Sequence, residues 1–297
     1  MNWKSILLPS AYLALFALSS FALFWWEWRR RGTRAPFTKD LRLLRMAGET
    51  QLKEAGQMDE RFVVLWLAGA VVPCVLGLIL LAVDQFLPEL WRIVLWALTG
   101  AVFLSALVLG LRRLMIFLRE RGDRYLGYFA ERVVAENLDP LKLAGWRIFH
   151  DVPCEIGAER FNIDHVAVGP GGVYAIETAA RRKGDTREGR DDYKVFYDGE
   201  QLSWPWGEDQ HGLDRIIRNA KWLKQWLEKT TGEKMEVSAV LAIPGWYVEA
   251  NARATVRVVN PSWLPDIMTS AGILVLNERQ VDLCTRQLEQ RCRDVTY

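Results

Sequence analysis

Two carboxylates define the chemistry open to this chain. Asp164 stands in Phe161-Asn162-Ile163-Asp164-His165, and Glu177 in Tyr174-Ala175-Ile176-Glu177-Thr178. Each lies in or beside an apolar, β-prone run, and Pro170-Gly171-Gly172 joins the two runs. Strands paired through such a turn bring both carboxylates to one end of a sheet, where they can hold a divalent cation against a phosphodiester. Strand side chains alternate, so position 179 shares the face of Glu177. A lysine there would orient or help deprotonate an attacking water and soften charge on the phosphate. The sequence has Ala179, followed by Ala180. Arg181 shares the same face if the strand continues, and Arg182 or Lys183 can reach in from the loop. Arginine stays protonated, so it stabilises charge but is no base.

The bland alternative has weight. A lone Asp beside a His is more often a surface pair, and a lone Glu at a strand end more often a solvated charge. The apolar flanks and the shared turn favour metal or phosphate duty for the pair.

The surrounding elements must place these groups. A helix is expected from Arg124 to Leu138, with Glu131 on it, beginning after Gly122 and ended by Asp139-Pro140. Strands are expected at Trp146–Val152, Ile163–Val168 and Val173–Thr178, with a hairpin through Asp198-Gly199. A helix from Gly212 to Lys229 carries Ile216, Ile217, Ala220, Leu223 and Leu227 at helical spacing. Strands at Val237–Ile243, Thr255–Val259 and Ile273–Leu276 precede a last helix from Glu278 to Arg293. This order predicts a mixed α/β domain with its own core.

The N-terminal third is different. Ser5 to Trp26, Phe62 to Val83 and Ile93 to Leu111 contain no charged residue. Each is about the ~20 residues that a bilayer-spanning helix needs. Tryptophans 25, 26, 28, 66, 91 and 96 lie in or near their ends, as an aromatic belt would. The first stretch is too long, and its flank too bulky, for a cleaved signal peptide, so it reads as an anchor. Nine Lys and Arg crowd residues 29–61, whereas Arg92 alone follows Asp84 in the next loop. The positive-inside rule then puts the N-terminus outside and everything after Leu111 in the cytoplasm. The expected organisation is a transmembrane helix in 1–28, a basic cytoplasmic linker in 29–61, two further transmembrane helices with a short outer loop in 62–112, and a cytoplasmic domain in 113–297. Within the linker, Leu41 to Met46 reads equally as an amphipathic helix on the inner leaflet or as a solvated connector. The spans lack charged residues, which argues against a transporter. The four cysteines form no CxxC pair and the three histidines are scattered, which argues against a structural zinc site.

Three blocks together carry a resemblance. Tyr125-Leu126-Gly127-Tyr128-Phe129-Ala130-Glu131, then His150-Asp151-Val152, then the run from Asn162 through Pro170-Gly171-Gly172 to Glu177-Thr178 resemble the nuclease-related domain (NERD) over residues 122 to 245. The resemblance implies a restriction-endonuclease-like fold of the PD-(D/E)XK kind, a mixed sheet flanked by helices. It implies metal-dependent cleavage of DNA, with Mg²⁺ (or Mn²⁺) on Asp164 and Glu177 and with Glu131 as a third acidic group. It also implies a lysine where Ala179 stands, so the departure falls on the catalytic base. The resemblance also implies a functional glutamine near the start of the helix from Gly212, where Gln210 lies just ahead and Arg215 stands at the nearest in-register helical position. Arg182 and Arg187 after the site, and Arg215 and Arg218 on the following helix, would track phosphates; a solvated helix face is the bland alternative. The expected function is a membrane-anchored, nuclease-related protein acting on DNA, with oligomeric state open. The rival is a catalytically inactive nucleic-acid-binding or scaffold module tethered to the bilayer.

Overall fold

The computed structural model describes residues 42–84, 86–250, 254–270 and 276–295, with Leu18, Phe21, Ala22 and Trp25. The chain divides into two compact units: Met1–Leu41 with Glu60–Phe117 and Tyr297, and Arg42–Asp59 with Leu118–Thr296.

The described part of the first unit is helical apart from the turn at residues 86–88. Helix α1 (Glu49–Asp84) and helix α2 (Glu89–Leu138) both run through it, and Phe62 stacks on Phe117 with ring centroids 4.2 Å apart. Among the described residues one helix is long and apolar enough to cross a membrane: α2 with the 3₁₀ turn Asp139–Ala144 that follows it. Its most apolar window has a mean hydropathy of 2.3, and none of that window is buried. The second apolar stretch, Phe62 to Val83, lies inside α1. The first, Ser5 to Trp26, lies largely outside the described residues.

The second unit is a mixed α/β domain. Strands β1 (Arg147–Ile156), β2 (Glu159–Gly169) and β3 (Gly172–Thr178) form an antiparallel meander. Gly172 turns at φ 121°, and a Cβ on Gly171 would lie 2.6 Å from the Met268 carbonyl oxygen, so this turn needs its glycines. After β3 the chain forms a second, four-stranded sheet. It contains β4 (Lys194–Tyr197), β5 (Leu202–Trp204), β6 (Gly207–Asp209) and, later in sequence, β8 (Tyr247–Ala250), in the order β6-β5-β4-β8. Helix α3 (His211–Thr231) then crosses back to β7 (Val237–Ala242), which pairs parallel with β3. Strand β9 (Val256–Val259) completes the main sheet in the order β1-β2-β3-β7-β9. Short helix α4 (Leu264–Thr269) and helix α5 (Glu278–Cys292) close the chain.

Strand alternation sorts the core. Val173 and Ala175 of β3 face the cluster built with Ile216, Leu223 and Leu227 of α3. Tyr174 and Ile176 face the other cluster, with Val134 and Leu138 of α2. Both faces of β3 are covered, and every residue in it is buried.

Two expectations meet a different structure, and a third falls largely outside the described residues. Gly122 does not break the helix, which runs on to Leu138; one interior glycine costs only about 1 kcal/mol. No helix forms in residues 42–46. Instead Leu43 makes an antiparallel bridge with Val295, Arg45 ion-pairs with Asp151 and Asp294, and residues 42–59 join the α/β unit. The strand expected at Ile273–Leu276 lies outside the described residues except for Leu276.

Candidate active site

The β2–β3 register places Asp164 opposite Glu177. The last backbone pair is His165↔Ile176, and one step further the two acids face each other. Cross-strand partners share a face, here the α3 side. The strands part at this point, and the Asp164 side chain takes over the ladder: Thr178 N–H donates to Asp164 Oδ2 at 2.7 Å.

Helix α3 lays two polar side chains over the pair, one turn apart. Arg215 Nη2 lies 2.6 Å from Glu177 Oε2, 3.4 Å from Asp164 Oδ2 and 3.5 Å from the Thr178 carbonyl oxygen. Asn219, fully buried, donates its Nδ2 to Glu177 Oε1. From the last turns of α2 comes Glu131, 5% exposed, on the stripe Ala130, Glu131, Val134 and Leu138 that packs inward. The site opens into a cavity of about 550 Å³ whose walls include Glu131, Asp164, Ala179, Arg181, Trp204 and Arg215.

Charge is unbalanced here. Three carboxylates meet one guanidinium. Burial, then the charges of Asp164, Asp151 and Glu177, push the Glu131 carboxyl up to about 9. Burial, then the charge of Asp164, pushes Glu177 up to about 8, against the pull of Arg215. Asp164 is also raised by burial, with Arg215 and the Thr178 N–H opposing. The Arg215 guanidinium is held more firmly protonated by Glu177, Asp164 and Glu131, against its own burial.

Hydrogen bonding is incomplete in the same place. Glu177 Oε2, Arg215 Nε, Asn219 Oδ1, Trp204 Nε1 and Asp209 Oδ1 are buried atoms without a hydrogen-bond partner. The Arg215–Glu177 contact is close in distance yet lacks hydrogen-bond direction. Buried polar groups are normally paired, and of these residues Trp204, Asp209 and Arg215 line the cavity, where a bound water or ligand would find partners.

The donor set fits a small hard cation. Two carboxylates and the Thr178 carbonyl all reach one nitrogen of Arg215, and such all-oxygen sets suit Mg²⁺ or Mn²⁺ completed by water. Among the described residues no group of three or more His, Cys, Asp and Glu is set to hold a metal, so any such site rests on the acid pair.

The other expected residues disperse. Strand β3 ends at Thr178, so Arg181 does not stand beside Glu177; it pairs with Asp209 at 3.1 Å, 6.0 Å from the Trp204 ring centroid. Ala179 lines the cavity and packs on the core, with its N–H bonded to the Ala242 carbonyl. Lys183 lies 5.7 Å over the Trp246 ring and is not part of the cavity wall. Arg182 bonds Asp123 and the Gly122 carbonyl. Arg187 lies exposed near Gly207, and Arg218 pairs with Glu159 at 3.3 Å.

Sequence reasoning passed over Asn219 and the N–H of Thr178, although the carbonyl of Ile176 or Thr178 was an expected further ligand. The signal for Asn219 was present: it interrupts the apolar stripe of Ile216, Ala220 and Leu223, where an unpaired amide would be costly. His165 lies behind the site on the opposite face of β2. Its Nδ1 is 2.9 Å from His150 Nδ1, and burial holds its pKa well below the ordinary histidine value.

Neither a curated protein nor a solved structure matches the chain. Residues 126–244 match the family model for the nuclease-related domain, NERD, a match that takes in β1 to β7 of the α/β unit together with Glu131, Asp164, Glu177 and Arg215.

Proposed function

We propose that the chain is a membrane-anchored, nuclease-related protein whose α/β unit hydrolyses DNA phosphodiester bonds with a divalent cation, Mg²⁺ (or Mn²⁺). The observation that carries this is the convergence of Asp164, Glu177 and the Thr178 carbonyl on one point beside an open cavity. The match to the nuclease-related domain over the same residues supports it. When bound, the cation supplies a polarised phosphoryl oxygen and an activated water. Asp164 and Glu177 hold it; the Thr178 N–H fixes the Asp164 carboxylate, and Asn219 fixes that of Glu177. Arg215 supplies the positive charge that Ala179 does not, and stabilises charge on the phosphate without acting as a base. Before a cation binds, burial and the charges of Asp164, Asp151 and Glu177 raise the Glu131 carboxyl to about 9, so it carries a proton beside the site. The charge-free stretches and the Lys- and Arg-rich residues 29–61 support an anchored arrangement with this unit at the inner face and the N-terminus outside.

A second reading, a catalytically silent DNA-binding or scaffold module, is favoured by one observation. Arg215 already compensates the acid pair, and Ala179 offers neither donor nor charge. The full chain in lipid nanodiscs, incubated with supercoiled and linear DNA, separates the two. The first reading expects Mg²⁺-dependent cleavage that Asp164→Ala abolishes. Absence of cleavage by the native chain, unrestored in Ala179→Lys, supports the second.

A further inference from the structure

We propose that Arg215 makes cation binding at Asp164 and Glu177 depend on a bound phosphodiester. Its guanidinium occupies the acid pair in the free protein and transfers to a phosphate when DNA enters. This rests on the metal-site reading above.

Arg215 Nη2 touches the oxygens of Glu177, Asp164 and Thr178, and a cation on the acid pair would need the same three. Two positive charges do not share one small set of oxygens, so guanidinium and cation exclude each other there. The guanidinium is also poorly seated. Glu177 Oε2 and Arg215 Nε are both buried without a hydrogen-bond partner, so the contact is held by charge and not by the forked geometry arginine prefers. A phosphate offers that fork. The side chain is 40% exposed and lines the cavity, so its route outward is open.

The neighbouring cations are engaged elsewhere. Arg181 pairs with Asp209, Arg182 with Asp123, and Arg124 with Glu54. Among the described cavity-lining residues, Arg215 is the cation whose partners are the carboxylates a metal would claim. With alanine at position 179 there is no lysine to meet the phosphate first. Phosphate binding that draws Arg215 away frees the acid pair, and by linkage the cation then favours DNA to the same degree.

The test uses the full chain in nanodiscs and Ca²⁺, a hard cation chosen to occupy oxygen sites without turnover. Ca²⁺ affinity is measured by calorimetry with and without a saturating short DNA duplex. The native chain should bind Ca²⁺ at least ~10-fold more tightly with DNA, within the usual range for coupled sites. Arg215→Met should bind Ca²⁺ alone more tightly than the native chain and gain little from DNA. Arg215→Lys keeps the charge and should keep part of the coupling, which separates lost charge from lost folding. Equal Ca²⁺ affinity with and without DNA in the native chain overturns the proposal, as does undiminished coupling in Arg215→Met. Ca²⁺ binding that Asp164→Asn abolishes but DNA does not affect sinks only the role of Arg215. Absence of Ca²⁺ binding in every form sinks the metal site as well.

Discussion

At the scale of single residues, the site stores protons. Glu131 and Glu177 rise from 4.5 to about 9 and about 8, chiefly through burial. The folded protein therefore holds protons that the unfolded chain releases above about pH 4.5. Stability without metal should fall as pH rises across that window, because the native state binds more protons than the unfolded state. Calorimetric melting between pH 5 and 9.5 in chelator should show the fall, and Glu131→Gln should flatten it. A melting temperature that rises with pH would contradict the charge balance described. The lysine position offers a separate check. Ala179→Lys places an ammonium on the cavity wall beside Glu177 and should raise the rate of Mg²⁺-dependent cleavage by about 100-fold, the usual worth of one charge-stabilising donor. An unchanged rate constant in single-turnover assays would show that Arg215 already fills that role. The acid pair was legible from sequence because alternation and the Pro-Gly-Gly turn both act locally. Arg215 was legible only as one of several cations on a helix, since periodicity gives a face but not the strand end that the face covers.

At the scale of elements, the meander β1–β2–β3 positions the acids and α3 closes over them. Its strands were readable, though β1 and β2 run longer than expected, turning at Gly157, which has φ 61°. The three- and four-residue strands β6 and β8 carry too little alternation to be read. The segment 42–59 was hidden for another reason: its basic residues read as a linker, while Arg45 in fact binds partners more than a hundred positions away. Arg45 Nη1 reaches the Asp151 carboxylate and carbonyl at 3.1 and 3.2 Å, and its other nitrogens reach Asp294. Asp151 is 4% exposed and sits at φ 49°, held also by Thr50 and Asn162. Arg45→Ala leaves a buried carboxylate without its cation and should cost roughly 3 kcal/mol, read as a lowered denaturation midpoint. Arg45→Lys should recover part of this, because one ammonium cannot span both aspartates.

At the scale of the molecule, the chain joins apolar helices to an α/β unit, of which residues 126–244 match the nuclease-related domain model. The proposed topology puts that unit on the side with the arginine-rich segments. Protease added to sealed vesicles should digest the α/β unit when the inner face is outward and spare it in the opposite orientation. Protection in both orientations, or release of the chain by alkaline carbonate, would contradict the anchored arrangement. Anchoring would confine any cleavage to DNA near the membrane surface. The pairing of Asp164 with Glu177 is the claim on which the rest depends. The most direct measurement is anomalous scattering from crystals of the protein grown with Mn²⁺ and a short DNA duplex. The expected result is a manganese peak bonded to both carboxylates, with the Arg215 guanidinium withdrawn onto a phosphate. A DNA complex in which Arg215 still bridges the two acids and no manganese lies between them would contradict it.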